Sequence, residues 1–177
     1  MRLRTTAILV TGAAATSIAL LAGCGGSATE ATTSTATSTT VVRKAATGNR
    51  PPCYPNCANA NLAGANLTNA YLDGVDLTGA NLTGANLDGV ELYDSNLTGA
   101  NLTDAKLNGA NLIGAVLRGA NLTRATPRHA RLNSANFTSA NLTSTSFSGS
   151  ILTGANFTGA IFSNTICPGR NITNTGC

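Results

Sequence analysis

Few residues in this chain could carry chemistry: five cysteines, a single histidine, and a group of bases around Pro127. Cys53-Tyr54-Pro55-Asn56-Cys57 offers two thiols, but a structural zinc site needs four ligands and no second pair lies nearby. Three residues separate these thiols, rather than the two of a redox-active dithiol. No nucleophile motif and no phosphate-cradling glycine loop accompanies His129, which is read as decorating a turn. The residue inventory therefore predicts no enzyme, no cofactor and no metal. Arg124, Arg128, His129 and Arg131 form a basic cluster suited either to an anionic envelope polymer or simply to solvating a turn.

The elements that must position these groups follow from a five-residue period running through residues 60–164 without insertion or deletion. Ala80-Asn81-Leu82-Thr83-Gly84 is a perfect unit, one of 21 consecutive units in phase. Leu or Phe stands at every fifth position from Leu62 to Phe162, with Pro127 the sole exception. A helical period of 3.6 drifts around such a repeat and a strand period of 2 swaps faces at each unit, so neither fits. A phase-locked repeat instead implies a solenoid in which each unit makes the same turn. The Leu/Phe position and the small residue two before it share a face and can fill a narrow core. Asn, Thr and Gly take the outward positions, and Gly suits a tight bend closing each unit.

These residues resemble the pentapeptide repeat family, whose consensus is A-(D/N)-L-x-x. The resemblance covers 105 of 177 residues. It implies an all-β fold, a right-handed quadrilateral parallel β-helix of about five coils with four units per coil. At a strand spacing of about 4.8 Å the rod would be roughly 25 Å long. Residues 20 apart then share a column, and Asn61, Asn81, Asn101, Asn121 and Asn141 form an uninterrupted structural ladder. The many Asn-x-Thr triplets read as by-products of the repeat, without a glycosylation message.

Residues 1–23 look like a secretory leader, a basic start followed by an apolar stretch too short and too weakly apolar for a good spanning helix. Leu21-Ala22-Gly23-Cys24 matches the bacterial lipobox, which implies cleavage after Gly23 and lipid attachment to Cys24; the plainer alternative is a secreted protein in which Cys24 is incidental. Residues 24–52 are rich in Thr, Ser and Ala and read as a disordered linker, its 28 residues after Cys24 spanning roughly 30 Å. Residues 53–59 and 165–177 are read as caps on the two ends of the repeat region. With Cys24 set aside, four cysteines remain. The rod implied by the family separates Cys53 and Cys57 from Cys167 and Cys177 by more than the roughly 7 Å that a disulfide spans between α-carbons. The expected pairs are therefore Cys53–Cys57 and Cys167–Cys177, each closing a loop over an exposed solenoid end.

The formal charge of +4 comes largely from outside the repeats. Within them, six acids precede five bases along the axis, with Asp104 one column position from Arg124. Tyr71, Tyr93 and Ile113 fall at outward positions on one face, with Ile151 further along it, and suit either a contact surface or stacking between coils. The function expected is a non-enzymatic, extracytoplasmic protein held to the bacterial cell membrane through Cys24, presenting a rigid rod to an envelope protein or an anionic polymer. Some pentapeptide repeat proteins imitate DNA and bind DNA gyrase. That alternative needs a strongly anionic, cytoplasmic rod, whereas these repeats sum to about −1 behind an export signal, so nucleic-acid mimicry is not favoured. An envelope enzyme or metal-binding protein lacks a residue constellation.

Overall fold

The computed structural model describes residues 50–169, 172, 173, 176 and 177. The leader, Cys24 and the linker as far as residue 49 lie outside the described residues, as does Arg170.

One unit shows why the chain winds as it does. Leu82 N–H donates to Asn101 O at 2.7 Å, and Gly84 N–H to Thr103 O at 2.8 Å, both on the following coil. Asn81 N–H donates back to Ala60 O on the preceding coil at 2.9 Å. Ala80 N–H closes the previous turn on Leu77 O at 3.0 Å. The fifth amide, that of Thr83, has no backbone partner and instead donates to Asn81 Oδ1 at 3.2 Å. Every amide of the unit is thereby satisfied, as a dry backbone requires. Thr83 Oγ1 donates to the same oxygen at 2.7 Å. The paired bonds recur at Asn101/Thr103, Asn121/Thr123 and Asn141/Thr143. Asn-x-Thr is therefore more than a by-product of repetition: it is the turn cap. The Asn column is structural mainly through these local bonds, and Asn81 Nδ2 adds a lateral one to Asn61 Oδ1 at 3.2 Å.

The turn itself requires a left-handed residue. Every fifth position from Asn59 to Asn164 has φ between 50° and 72°. Leu82 O accepts from Ala85 N–H across Gly84 at 3.0 Å, the bond of a tight four-residue turn. Glycine meets this demand without a Cβ clash. Arg124 and His129 adopt the same conformation, at a cost of about 1–2 kcal/mol each for an L-residue.

Parallel bridges at 20-residue separation run from Asn56↔Asp76 to Ser146↔Ile166. Four units thus make one coil of a right-handed quadrilateral β-helix. Its four faces are named here by their first leucines, Leu62, Leu67, Leu72 and Leu77. The coil bonding reaches back to Asn56 and Cys57, inside the segment read from the sequence as the N-terminal cap. Cys57 occupies a leucine position and is buried in the core.

The core consists of the Leu/Phe positions and the small residues two before them. Where Ser95, Thr145 or Thr165 replaces alanine, its hydroxyl donates 2.7 Å to a backbone carbonyl, so no buried polar side chain among the described residues lacks a partner. Phenylalanines take over late in the rod, Phe137 stacking on Phe157 at 5.0 Å and meeting Phe147 edge-on at 5.8 Å. The last coil is followed by a short hairpin of β1 (Thr165–Ile166) and β2 (Ile172–Thr173), paired antiparallel. Leu152, Phe157 and Phe162 there are half-buried, and Ile151 and Ile161 exposed.

Pro127 interrupts the ladder at one place. It has no N–H with which to match the 2.8 Å bond from Leu122 to Asn141 O, and the Thr126–Ser146 bridge is missing from the series. The neighbouring bond from Leu107 N–H to Thr126 O is also long, at 3.3 Å. Replacing Pro127→Leu restores both the donor and the usual core residue. It is expected to stabilise the rod by about 0.5–1.5 kcal/mol in urea unfolding; an unchanged or lowered midpoint would contradict the role given to the missing bond.

Candidate functional site

The coil geometry sorts the candidate residues. Outward positions 20 residues apart lie in one column, so Tyr71, Glu91, Asn111, Arg131 and Ile151 follow one another through consecutive bridges on the Leu72 face. Tyr93 and Ile113 occupy the parallel column across the same face. Tyr71 is 62% exposed and Tyr93 47%, whereas Ile113 is half-buried. The backbone beneath them is fixed by Asp73, whose Oδ1 accepts from Tyr93 N–H at 2.9 Å. Beside Tyr71 the chain enters the rod: Arg50 Nε donates to Tyr71 O at 2.9 Å, and its guanidinium lies 4.4 Å from the centre of the Tyr54 ring. This aromatic–cation contact precedes the repeats and escaped the sequence reading, because no period marks it.

The basic cluster is divided. Arg124 makes a bidentate pair with Asp104, Nε to Oδ1 at 2.7 Å and Nη2 to Oδ2 at 2.6 Å. It is thereby the partner of an acid one coil away, as the 20-residue column predicts. Arg128 donates through Nε to Ser146 Oγ at 3.2 Å, against the interruption at Pro127. His129 stands at the corner after the Leu67 face with its ring over Gly149, where a Cβ would collide with it. Arg131, just past that corner, is exposed and belongs to the tyrosine column. Arg128, His129 and Arg131 therefore remain neighbours around one corner, and the tyrosine face and the basic cluster, separate in sequence, share an edge. Ile161, 57% exposed in place of a column asparagine, was also missed; an isoleucine at that position was the available signal.

The four capping cysteines pair as Cys53–Cys57 and Cys167–Cys177, with α-carbons 4.8 and 5.3 Å apart. Cys24 lies outside the described residues. No group of three or more His, Cys, Asp or Glu among the described residues is placed to hold a metal ion.

A model of pentapeptide repeats (8 copies) matches residues 56–92, 95–126 and 128–166. The chain belongs to the pentapeptide repeat family. Its gaps fall at Tyr93-Asp94 and at Pro127, two of the positions singled out above. A solved structure of a trypsin-treated variant of QnrB1, described as a plasmid-mediated fluoroquinolone resistance protein, aligns at TM-score 0.55 and 24% identity, over 58% of this chain and 49% of that one. This chain thus spans about half of that relative, and the likeness shows the fold. Rfr23 from the cyanobacterium Cyanothece 51142 aligns at TM-score 0.37 and 29% identity, over 60% of this chain and 86% of that one. HetL of Nostoc, described as involved in heterocyst differentiation regulation, aligns at TM-score 0.34 and 26% identity, over 67% of this chain and 74% of that one. Among curated proteins none matches the chain by sequence.

The Arg124 hydrogen bond holds the Asp104 carboxyl below its ordinary value of 3.8. A depressed carboxylate contributes stability above the unfolded-state value, and that contribution is lost as pH falls through the folded-state one. Asp104→Asn is therefore expected to lose part of the pH dependence of the melting temperature below about pH 3.8, and to be closest to the parent in the most acidic samples. Identical pH profiles for the two proteins would show the pair to be energetically silent.

Proposed function

We propose that this pentapeptide repeat protein is a non-enzymatic, lipid-anchored component of a bacterial cell envelope, presenting its rod to an envelope protein or anionic polymer. Members of this family are generally structural or interaction proteins. The observation that supports a contact role most directly is the pair of exposed tyrosines on a flat, rigid face whose outward residues are otherwise largely polar. Exposed aromatics of this kind supply much of the energy of protein contacts. Arg128 and Arg131, on either side of His129 at the adjoining corner, add a cationic margin suited to an anionic chain. Anchoring rests on the leader and lipobox, and location outside the cytoplasm follows from the same residues.

The resistance role stated for QnrB1 is not carried over. The repeats here hold six acids and five bases, and so lack the strongly negative surface that would stand in for DNA.

Two measurements test the two halves separately. Labelling with a fatty-acid analogue is expected to mark the parent protein and not a Cys24→Ala form; equal labelling, or none, removes the anchor. Affinity capture of the intact protein from membranes is expected to recover a reproducible partner that a Tyr71→Ala/Tyr93→Ala variant loses at least about tenfold, the size of effect that contact-centre aromatics carry. Undiminished capture by that variant would discard the tyrosine face.

A further inference from the structure

Two columns flank the corner between the Leu67 and Leu72 faces, and they repeat one charge pattern. In the first, Glu91, Asn111 and Arg131 succeed one another at 20-residue steps through parallel bridges. In the second, Asp88, Asn108 and Arg128 occupy the residue after the buried position in the same coils. The acid is held in the same way in both. Asn111 Nδ2 donates to Glu91 Oε2 at 2.7 Å, and Asn108 Nδ2 to Asp88 Oδ1 at 2.8 Å. Both arginines are exposed, and among the described residues neither forms an ion pair. Within one copy, acid and arginine stand two coils apart, about 10 Å, too far to neutralise each other directly.

A straight line reading acid, amide, base is its own complement when reversed. Turning a second copy end for end about the level of Asn108 and Asn111 sets Asp88 against the other copy's Arg128, and Glu91 against its Arg131. The same turn sets Tyr71 against Ile151. We propose that two copies of this chain pack antiparallel along this corner as an isologous homodimer, the two-fold axis passing between the paired asparagines. Each charge pair then occurs twice. The stripe is narrow beside the roughly 800 Å² per partner of a standard interface, so the dimer is weak and its specificity electrostatic. The inference goes beyond the proposed function and depends on neither the anchor nor the tyrosine partner.

The test is sedimentation velocity of the full chain, carrying Cys24→Ala so that no acyl group contributes, across a wide concentration range. A concentration-dependent dimer is expected at about 0.01 M salt, dissociating near 1 M salt, where charges are screened within about 3 Å. Arg128→Glu with Arg131→Glu, and separately Asp88→Arg with Glu91→Arg, are each expected to be monomeric. An equimolar mixture of the two is expected to recover the dimer. Circular dichroism confirms that each is folded; should either fail, Arg128→Gln with Arg131→Gln is expected to weaken the dimer without introducing like-charge repulsion. A monomeric parent at low salt overturns the proposal, as does a mixture of folded variants that stays monomeric. So does a dimer that persists in every variant alone, which would place the interface elsewhere, such as the apolar last coil.

Discussion

The structure depends on where five amides go. Three reach neighbouring coils, one closes the preceding turn, and in most units the last is taken by a side chain, as Thr83 N–H is by Asn81 Oδ1. A five-residue unit with no spare donor cannot gain or lose a residue without leaving a polar group unpaired, and such a group costs more than a typical bond contributes. This accounts for the unbroken phase more directly than the core does. Leucine packing alone would tolerate an occasional loop, and the hydrogen-bond sequence does not. It also explains the composition: asparagine before the buried residue, threonine after it, and at most positions of positive φ a glycine or small polar residue.

A rod built this way displays side chains in straight columns at a fixed interval. Function on such a scaffold comes from which residues replace the neutral Asn and Thr background, and at what level along the axis. The replacements here are concentrated. The acids and exposed tyrosines occupy the early coils, and the bases surround the one coil that Pro127 interrupts. Asp104 and Arg124, one coil apart in one column, neutralise each other. Asp88 with Arg128 and Glu91 with Arg131, two coils apart, do not, which leaves both signs available to something outside the molecule.

Much of the fold was legible because the constraint is periodic. Leu62 to Phe162 in steps of five dictated the core, and the family resemblance converted the step into a 20-residue column, from which the Asp104–Arg124 pair followed. The role of Asn-x-Thr was less visible, although an asparagine or aspartate two residues before the amide that it caps was present in most units. Cys57 stands in phase with Leu62, yet its thiol drew attention to capping rather than to the core position that it also fills. The candidate surface was harder to see. Arg131 lies nearer in sequence to Arg128 than to Tyr71, and only the bridge register shows that it belongs with both. Arg50 and its contact with Tyr54 lie before the repeat, where no period points to them.

Residue-by-residue amide hydrogen exchange tests the amide arrangement most directly. The account predicts protection with a five-residue period from residue 57 to the last full coil. Amides of the buried Leu/Phe positions should exchange slowest. Those of the residues that follow them, held in most units by a half-buried asparagine or aspartate oxygen, should exchange faster. Protection without that period, or equally slow exchange at both positions, would contradict it.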